Sequence, residues 1–234
     1  LMVLKEKSNE VKSRFFNLEK FILQRFIFDG TTKNYNQCCE KLLKVDDDCK
    51  YLEEYMAESP TTNDSYKDRF RKFSNNQARL LLFLIEMLYR DGEEEKYSDG
   101  LRIDKFTLEH IMPQKWQSAW IDVAAYDENG DLIDRNDVEA FISSRNRAVK
   151  SLGNMTLLTS KLNASVSNSN LETKMNGKVT GSNPGGIKKF ASSLVTTKVI
   201  IDVFEETKLW DEREIFKYEE QYFKKLNSFY KFVD

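Results

Sequence analysis

A single histidine serves all 234 residues, and its neighbours are chemically suggestive. "TLEHIMPQKW" (107–116) sets Glu109 directly before His110 and Pro113 shortly after it. Downstream, "SLGNMTLLTSKLN" supplies Asn154 and then Asn163. A neutral imidazole with an ordinary pKa of about 6.5 can accept a proton near neutral pH. A carboxylate and an amide oxygen are hard donors, suited to a Mg²⁺ ion that keeps several of its waters. Phosphodiester hydrolysis needs both: a base for the attacking water, and a charge sink for the phosphate and the departing 3′ oxygen. Taken singly, each residue has a plainer reading. His110 alone reads as a core histidine, Glu109 as a surface carboxylate, Asn154 as a turn residue after Gly153, and Asn163 as polarity on a solvated helix face.

The elements that must position these residues can be read from periodicity. "LRIDKFTLEHI" has β-favouring residues in rough alternation, which predicts a short strand entering a loop at Pro113. "GNMTLLT" (153–159) predicts a second short strand, and 160–175 a helix with Ser160 as its N-cap. Neighbouring side chains leave opposite faces of an ideal strand, so a bulge or twist is expected to bring Glu109 and His110 to one site. Upstream, Val11, Phe15, Leu18, Ile22 and Phe26 recur at helical spacing over 8–29. A second helical stretch spans about 34–56. A third, 75–90, is apolar on nearly every side through "LLLFLIEML" and belongs inside a bundle. "DGEEEKYSDG" is a turn-rich connection, 137–149 is helix-like, and 176–186 reads as a Gly/Ser/Asn-rich loop. From about 211 the chain is strongly periodic again. The fold class is α+β, mostly helical, divided into a helical scaffold over 1–95 and a catalytic region over 96–234.

Two short strands and a helix, with Glu-His on the first strand, Asn at the loop–strand junction that opens the second and Asn on the helix, resemble the HNH (ββα-metal) nuclease superfamily. More closely, "EHIMPQKW … LGNMTLL … N … SNSNLETK" is similar to the His-x-x-Pro variety at the C-terminus of GmrSD-type modification-dependent restriction endonucleases. The upstream "LEKFILQRFIF" and "ARLLLFLIEMLY" resemble the helical region that precedes the nuclease motif there, so the likeness covers nearly the whole chain. It implies a helical scaffold with an embedded ββα-metal core. It implies His110 as general base, Glu109 and Asn163 as ligands of a divalent metal (Mg²⁺, with Mn²⁺ as the alternative), and Asn154 as the residue that holds the histidine loop. Many superfamily members carry histidine where Asn163 stands. Lys174 matches a basic position of the pattern, suited to a phosphate or to transition-state charge. Gln114, Ser167, Asn168 and Asn170 are candidate polar contacts, Trp116 reads as packing, and Tyr218 stands where the pattern has arginine. The resemblance further implies DNA as substrate, modified phage DNA among its forms. It also implies a partner N-terminal nucleotide-hydrolysing sensor domain and a role in antiphage defence.

Charge distribution bears on the same substrate. The net charge is −2, yet Arg145 to Lys198 holds nine Lys/Arg against Glu172 alone, leaving about −10 for the rest. Such an island suits a polyanion, with Lys161, Lys174 and Lys178 as candidate nucleic-acid contacts, or is simply a basic solvated loop. The glycines at 177, 181, 185 and 186 do not form a phosphate-binding Walker loop, and one histidine excludes a three-His zinc site. Three cysteines (Cys38, Cys39, Cys49) fit no disulfide framework. With no apolar run long enough for a membrane span and no visible signal peptide, the expected location is cytoplasmic. A chain opening on Leu1 reads as a piece of a longer protein. Two other functions share these residues: a catalytically silent nucleic-acid-binding or autoinhibitory module, and a nickase or ribonuclease using the same centre.

Overall fold

In the computed structural model, the residues described are 9–29, 35–42, 44, 48–57, 65–91, 100–166, 168–178 and 185–233. They are mostly helical, with one two-stranded sheet, as the α+β expectation requires. The chain forms two units, Leu1–Arg69 with Asn227–Asp234, and Phe70–Leu226. The expected boundary near residue 95 thus falls inside the second unit. None of the described helices is long and apolar enough to cross a membrane.

The first unit opens with α1 (Asn9–Gln24), which runs on as a π-helical turn, Arg25–Asp29. The predicted single helix over 34–56 is α2 (Tyr35–Leu42) and α3 (Asp48–Ala57). Phe21 from α1 packs with Cys38, Leu52 and Met56, and Gln24 Nε2 donates to Met56 O (3.0 Å). The side chains of Cys39 and Cys49 lie outside the described residues. Helix α4 (Ser65–Phe70) closes this part of the chain.

The second unit is built on α5 (Asn75–Arg90). Its start is fixed by a capping box: Gln77 N–H donates to Ser74 Oγ, and Ser74 N–H donates to Gln77 Oε1. Ala78, Leu81, Leu82 and Ile85 are buried, but Leu80 and Met87 are exposed, so the helix is buried on one side rather than enclosed on nearly every side as expected. This helix packs on both strands, β1 (Phe106–His110) and β2 (Met155–Thr159). Between the strands lie the short α6 (Gln117–Trp120) and α7 (Val138–Lys150). After β2 come α8 (Ser160–Val166), α9 (Leu171–Asn176) and α10 (Ile187–Phe190), then α11 (Val195–Thr207) and α12 (Glu212–Tyr230).

Two expectations are corrected here. The helix over 160–175 is broken, because Asn170 turns its side chain onto Thr173 N–H (2.9 Å) and starts α9 afresh. Ser160 is already helical, and the Thr159 hydroxyl accepts the Leu162 N–H at 3.4 Å. Helix α11 has no counterpart among the elements expected from periodicity. Its start has no local side-chain cap and is held from a distance. The fully buried Glu86 carboxylate accepts from Val195 N–H (2.8 Å), Thr196 N–H (2.9 Å) and Thr196 Oγ1 (2.9 Å), and from Arg90 Nε (2.7 Å). A negative charge on the orphan N–H groups of a helix start is stabilising.

Candidate active site

The strands pair antiparallel, from Phe106 opposite Thr159 to His110 opposite Met155, one residue against one throughout. The ladder therefore holds no bulge, contrary to expectation, and Glu109 and His110 leave opposite faces of the strand. Continuity of pairing is the reason: Ile111 N–H carries the ladder one step further by donating to Asn154 O (2.9 Å).

Asn154 makes three side-chain hydrogen bonds from a fully buried position. It ends a 3₁₀ turn, Leu152–Asn154, just before β2, and is fully buried. Its Oδ1 accepts the Met112 N–H (2.8 Å), while Nδ2 donates to Met112 O (2.8 Å) and Val149 O (3.3 Å). One amide thus engages both backbone groups of Met112, two residues beyond His110. A carbonyl can only accept, so this pairing also fixes which way the amide is turned. Ile111 and Met112 are fully buried, which leaves the turn no solvent to substitute for these bonds.

Asn163, on α8, is half-buried and reaches β1. Its Nδ2 donates to Thr107 Oγ1 (2.9 Å) and Leu108 O (2.8 Å). Leu108 O can only accept, so the nitrogen faces the strand and Oδ1 lies on the other side of the amide. Glu109 is buried, and the Lys174 ammonium bonds its Oε1; the same ammonium donates to His110 O at 2.5 Å. Burial pushes the Glu109 carboxyl up and the Lys174 ammonium down, while their mutual attraction opposes both shifts. Burial, with the Lys174 charge nearby, pushes His110 down to about 4 and keeps its ring neutral at physiological pH.

Lys174 was expected among the nucleic-acid contacts. It is instead fully buried beneath the site, because α9 turns it inward onto Glu109. Lys161 and Lys178 are exposed. Much of the rest of the basic island is neutralised: Arg145 pairs with Glu212 (2.7 Å, both fully buried), Arg147 with Glu128, Lys188 with Glu205 and Lys198 with Asp202. Trp116 is buried and donates to Asn146 Oδ1 (3.2 Å), whereas Gln114, Asn168 and Asn170 are exposed. Ser167 lies outside the described residues. Tyr218 stacks on Trp210 at 5.3 Å and is buried, so it offers no surface contact.

Two supports were not anticipated. Thr156, opposite Glu109, shares a hydroxyl contact with Thr197 of α11 (2.8 Å). Gly153 lies against the backbone of α12. The glycine directly before Asn154 was the available signal for the second. Nothing local in the sequence announces the first.

A family model for the C-terminal domain of GmrSD restriction endonucleases matches residues 56–225. The chain belongs to that family. Searches of curated proteins and of solved structures found no match. The GmrSD C-terminal domain match takes in both strands, α8, α9 and all but the end of α12. Membership identifies a restriction endonuclease domain, whose substrate is DNA.

Proposed function

We propose that this GmrSD-family domain is a metal-dependent DNA endonuclease with an HNH, ββα-metal centre made by β1, β2 and α8. The observation that carries the reading is the Asn154 clamp on Met112. A fully buried side chain that directs its hydrogen bonds at the turn after His110 serves the position of that histidine. His110, half-buried and held neutral by desolvation and the nearby Lys174 charge, accepts the proton of the attacking water at a ring nitrogen.

The donor types suit a hard divalent cation. Glu109 offers a carboxylate, and Asn163, with its nitrogen committed to β1, offers its amide oxygen. Among the described residues no cluster of three His, Cys, Asp or Glu side chains competes for a metal, and two oxygen donors with water suit Mg²⁺ better than a softer ion. When bound, such an ion supplies Lewis-acid stabilisation of the phosphate and leaving oxygen. Lys161 and Lys178, exposed on the segments flanking α9, contact the DNA backbone.

In this reading the domain is the cytoplasmic effector of a larger antiphage protein. A nucleotide-hydrolysing N-terminal sensor selects modified DNA and licenses cleavage. The test is supercoiled plasmid incubated with the protein and Mg²⁺ or Mn²⁺, with and without EDTA. Cleavage that EDTA abolishes is expected. Salt-dependent binding with no metal-stimulated cleavage of any plasmid, modified or not, by the full-length protein would leave a silent binding module.

A further inference from the structure

We infer that Lys174 is a built-in placeholder for the metal: its ammonium occupies the Glu109 carboxylate in the metal-free protein and competes with the divalent cation for it. This rests on Glu109 being a metal ligand, as proposed above.

Two observations and one physical argument support it. The first is placement. Lys174 is fully buried, and its two hydrogen bonds go to Glu109 Oε1 and to His110 O, the two adjacent residues that carry the chemistry. A buried carboxylate with no positive partner is strongly destabilising. The lysine therefore lets the strand end fold before any metal arrives.

The second is rigidity. Helix α9 begins at the Asn170 cap and ends at Gly177, whose φ of +85° suits glycine. Gly186 lies so close that a Cβ there would meet Lys174 O and Met175 O at 2.4 Å and Gly177 N at 2.6 Å. Met175 and Ile187 are fully buried on either side of that contact. The backbone bearing Lys174 is thus pinned, so when a second cation approaches the ammonium can withdraw only by side-chain rotation within a buried site.

The third is the sign of the interaction. Two cations sharing one carboxylate in a partly desolvated site repel each other, and this repulsion is much stronger there than in water. Lys174 must then lower metal affinity while it stabilises the metal-free chain. A residue that merely braced the helix would lower stability on removal without raising metal affinity.

The experiment titrates Mn²⁺ into wild type, Lys174→Met, Lys174→Gln and Glu109→Gln, reading thermal unfolding and free Mn²⁺ by electron paramagnetic resonance. No DNA or cleavage is involved. Lys174→Met should melt lower than wild type without metal and bind Mn²⁺ at least about tenfold more tightly, the direction Coulomb repulsion dictates. Lys174→Gln has no charge and retains an N–H donor, so it should show the same tightening with less loss of stability. Glu109→Gln should lose the Mn²⁺ response. If that response is lost in Glu109→Gln but binding in the Lys174 variants is unchanged or weaker, the placeholder role is overturned and the metal reading stands. If Glu109→Gln retains the response, or no protein responds, both fall. Should Lys174→Met be unfolded without metal, it is expected to fold as Mn²⁺ is added. Remaining unfolded at saturating Mn²⁺, with no tightening in Lys174→Gln, overturns the inference.

Discussion

Gly153 lies in direct contact with the main chain of Ile215: a Cβ placed on it would come within 2.0 Å of Ile215 O and 2.7 Å of Glu219 N. The approach is too close for any side chain, and its neighbours are helix backbone rather than a flexible side-chain end. The residue before Asn154 is thereby fitted to α12. Gly153→Ala should force the 3₁₀ turn and the helix apart, at a cost of about 3 kcal/mol. That corresponds to roughly 10 °C in melting temperature for a unit of this size. Calorimetry checks it, and a melting temperature within a degree of wild type would contradict the close fit.

His110→Ala should slow DNA cleavage by about 10²–10⁴-fold, the usual contribution of a positioned general base. With no other histidine in the chain, there is no imidazole to substitute. DNA affinity, read by fluorescence anisotropy, should change little. Cleavage at the wild-type rate would remove His110 from the mechanism.

The two asparagines should fail in different ways. Asn163→Ala removes an oxygen donor, so the metal concentration for half-maximal cleavage should rise. Asn163→His offers imidazole instead and should recover part of the activity with a shift toward Mn²⁺. Asn154→Ala releases both backbone groups of Met112, leaving buried partners unsatisfied at a cost of about 1–3 kcal/mol. It should therefore lower the rate even at saturating metal. Metal titrations of cleavage separate the cases, and the opposite pattern would exchange the two roles.

The surviving exposed lysines define the last prediction. Lys161→Glu with Lys178→Glu should weaken DNA binding and flatten its salt dependence, by roughly 0.9 in log–log slope for each phosphate that is no longer neutralised. Lys188→Glu, which alters a lysine already paired with Glu205, should do less. An unchanged slope in the double variant would place the DNA surface elsewhere.

The candidate residues and the two strands were legible in the sequence wherever residue type and short-range pattern coincide. Glu109, His110, Asn154 and Asn163 stand out by type and spacing, and the two strands by alternation and flanking turn residues. What escaped depends on interactions between residues far apart in the chain. The inward turn of Lys174 needs a partner 65 residues earlier. Helix α11 was missed because its start is capped by Glu86, more than a hundred residues before it. The bulge was expected because two reactive neighbours were assumed to share a face. The continuous ladder, one residue against one throughout, leaves Glu109 and His110 on opposite faces of β1. Asn170 sits within a helical pattern, and its capping tendency outweighed its propensity to continue the helix.

The remote cap made by Glu86 also bears on how portable the site is. A hairpin and helix of about sixty residues, Phe106 to Val166, invites grafting onto another scaffold as a cutting cassette. Thr156, however, leans on Thr197, whose helix begins at the carboxylate of Glu86, and Phe106 O accepts from Arg79 on the same helix as Glu86. Cut out of these surroundings, the cassette would keep Glu109, His110, Asn154 and Asn163 and lose the frame that supports the strands. The transplantable piece has to run from α5 through α12, so recombination among relatives would be expected to exchange this span whole rather than swap strands within it.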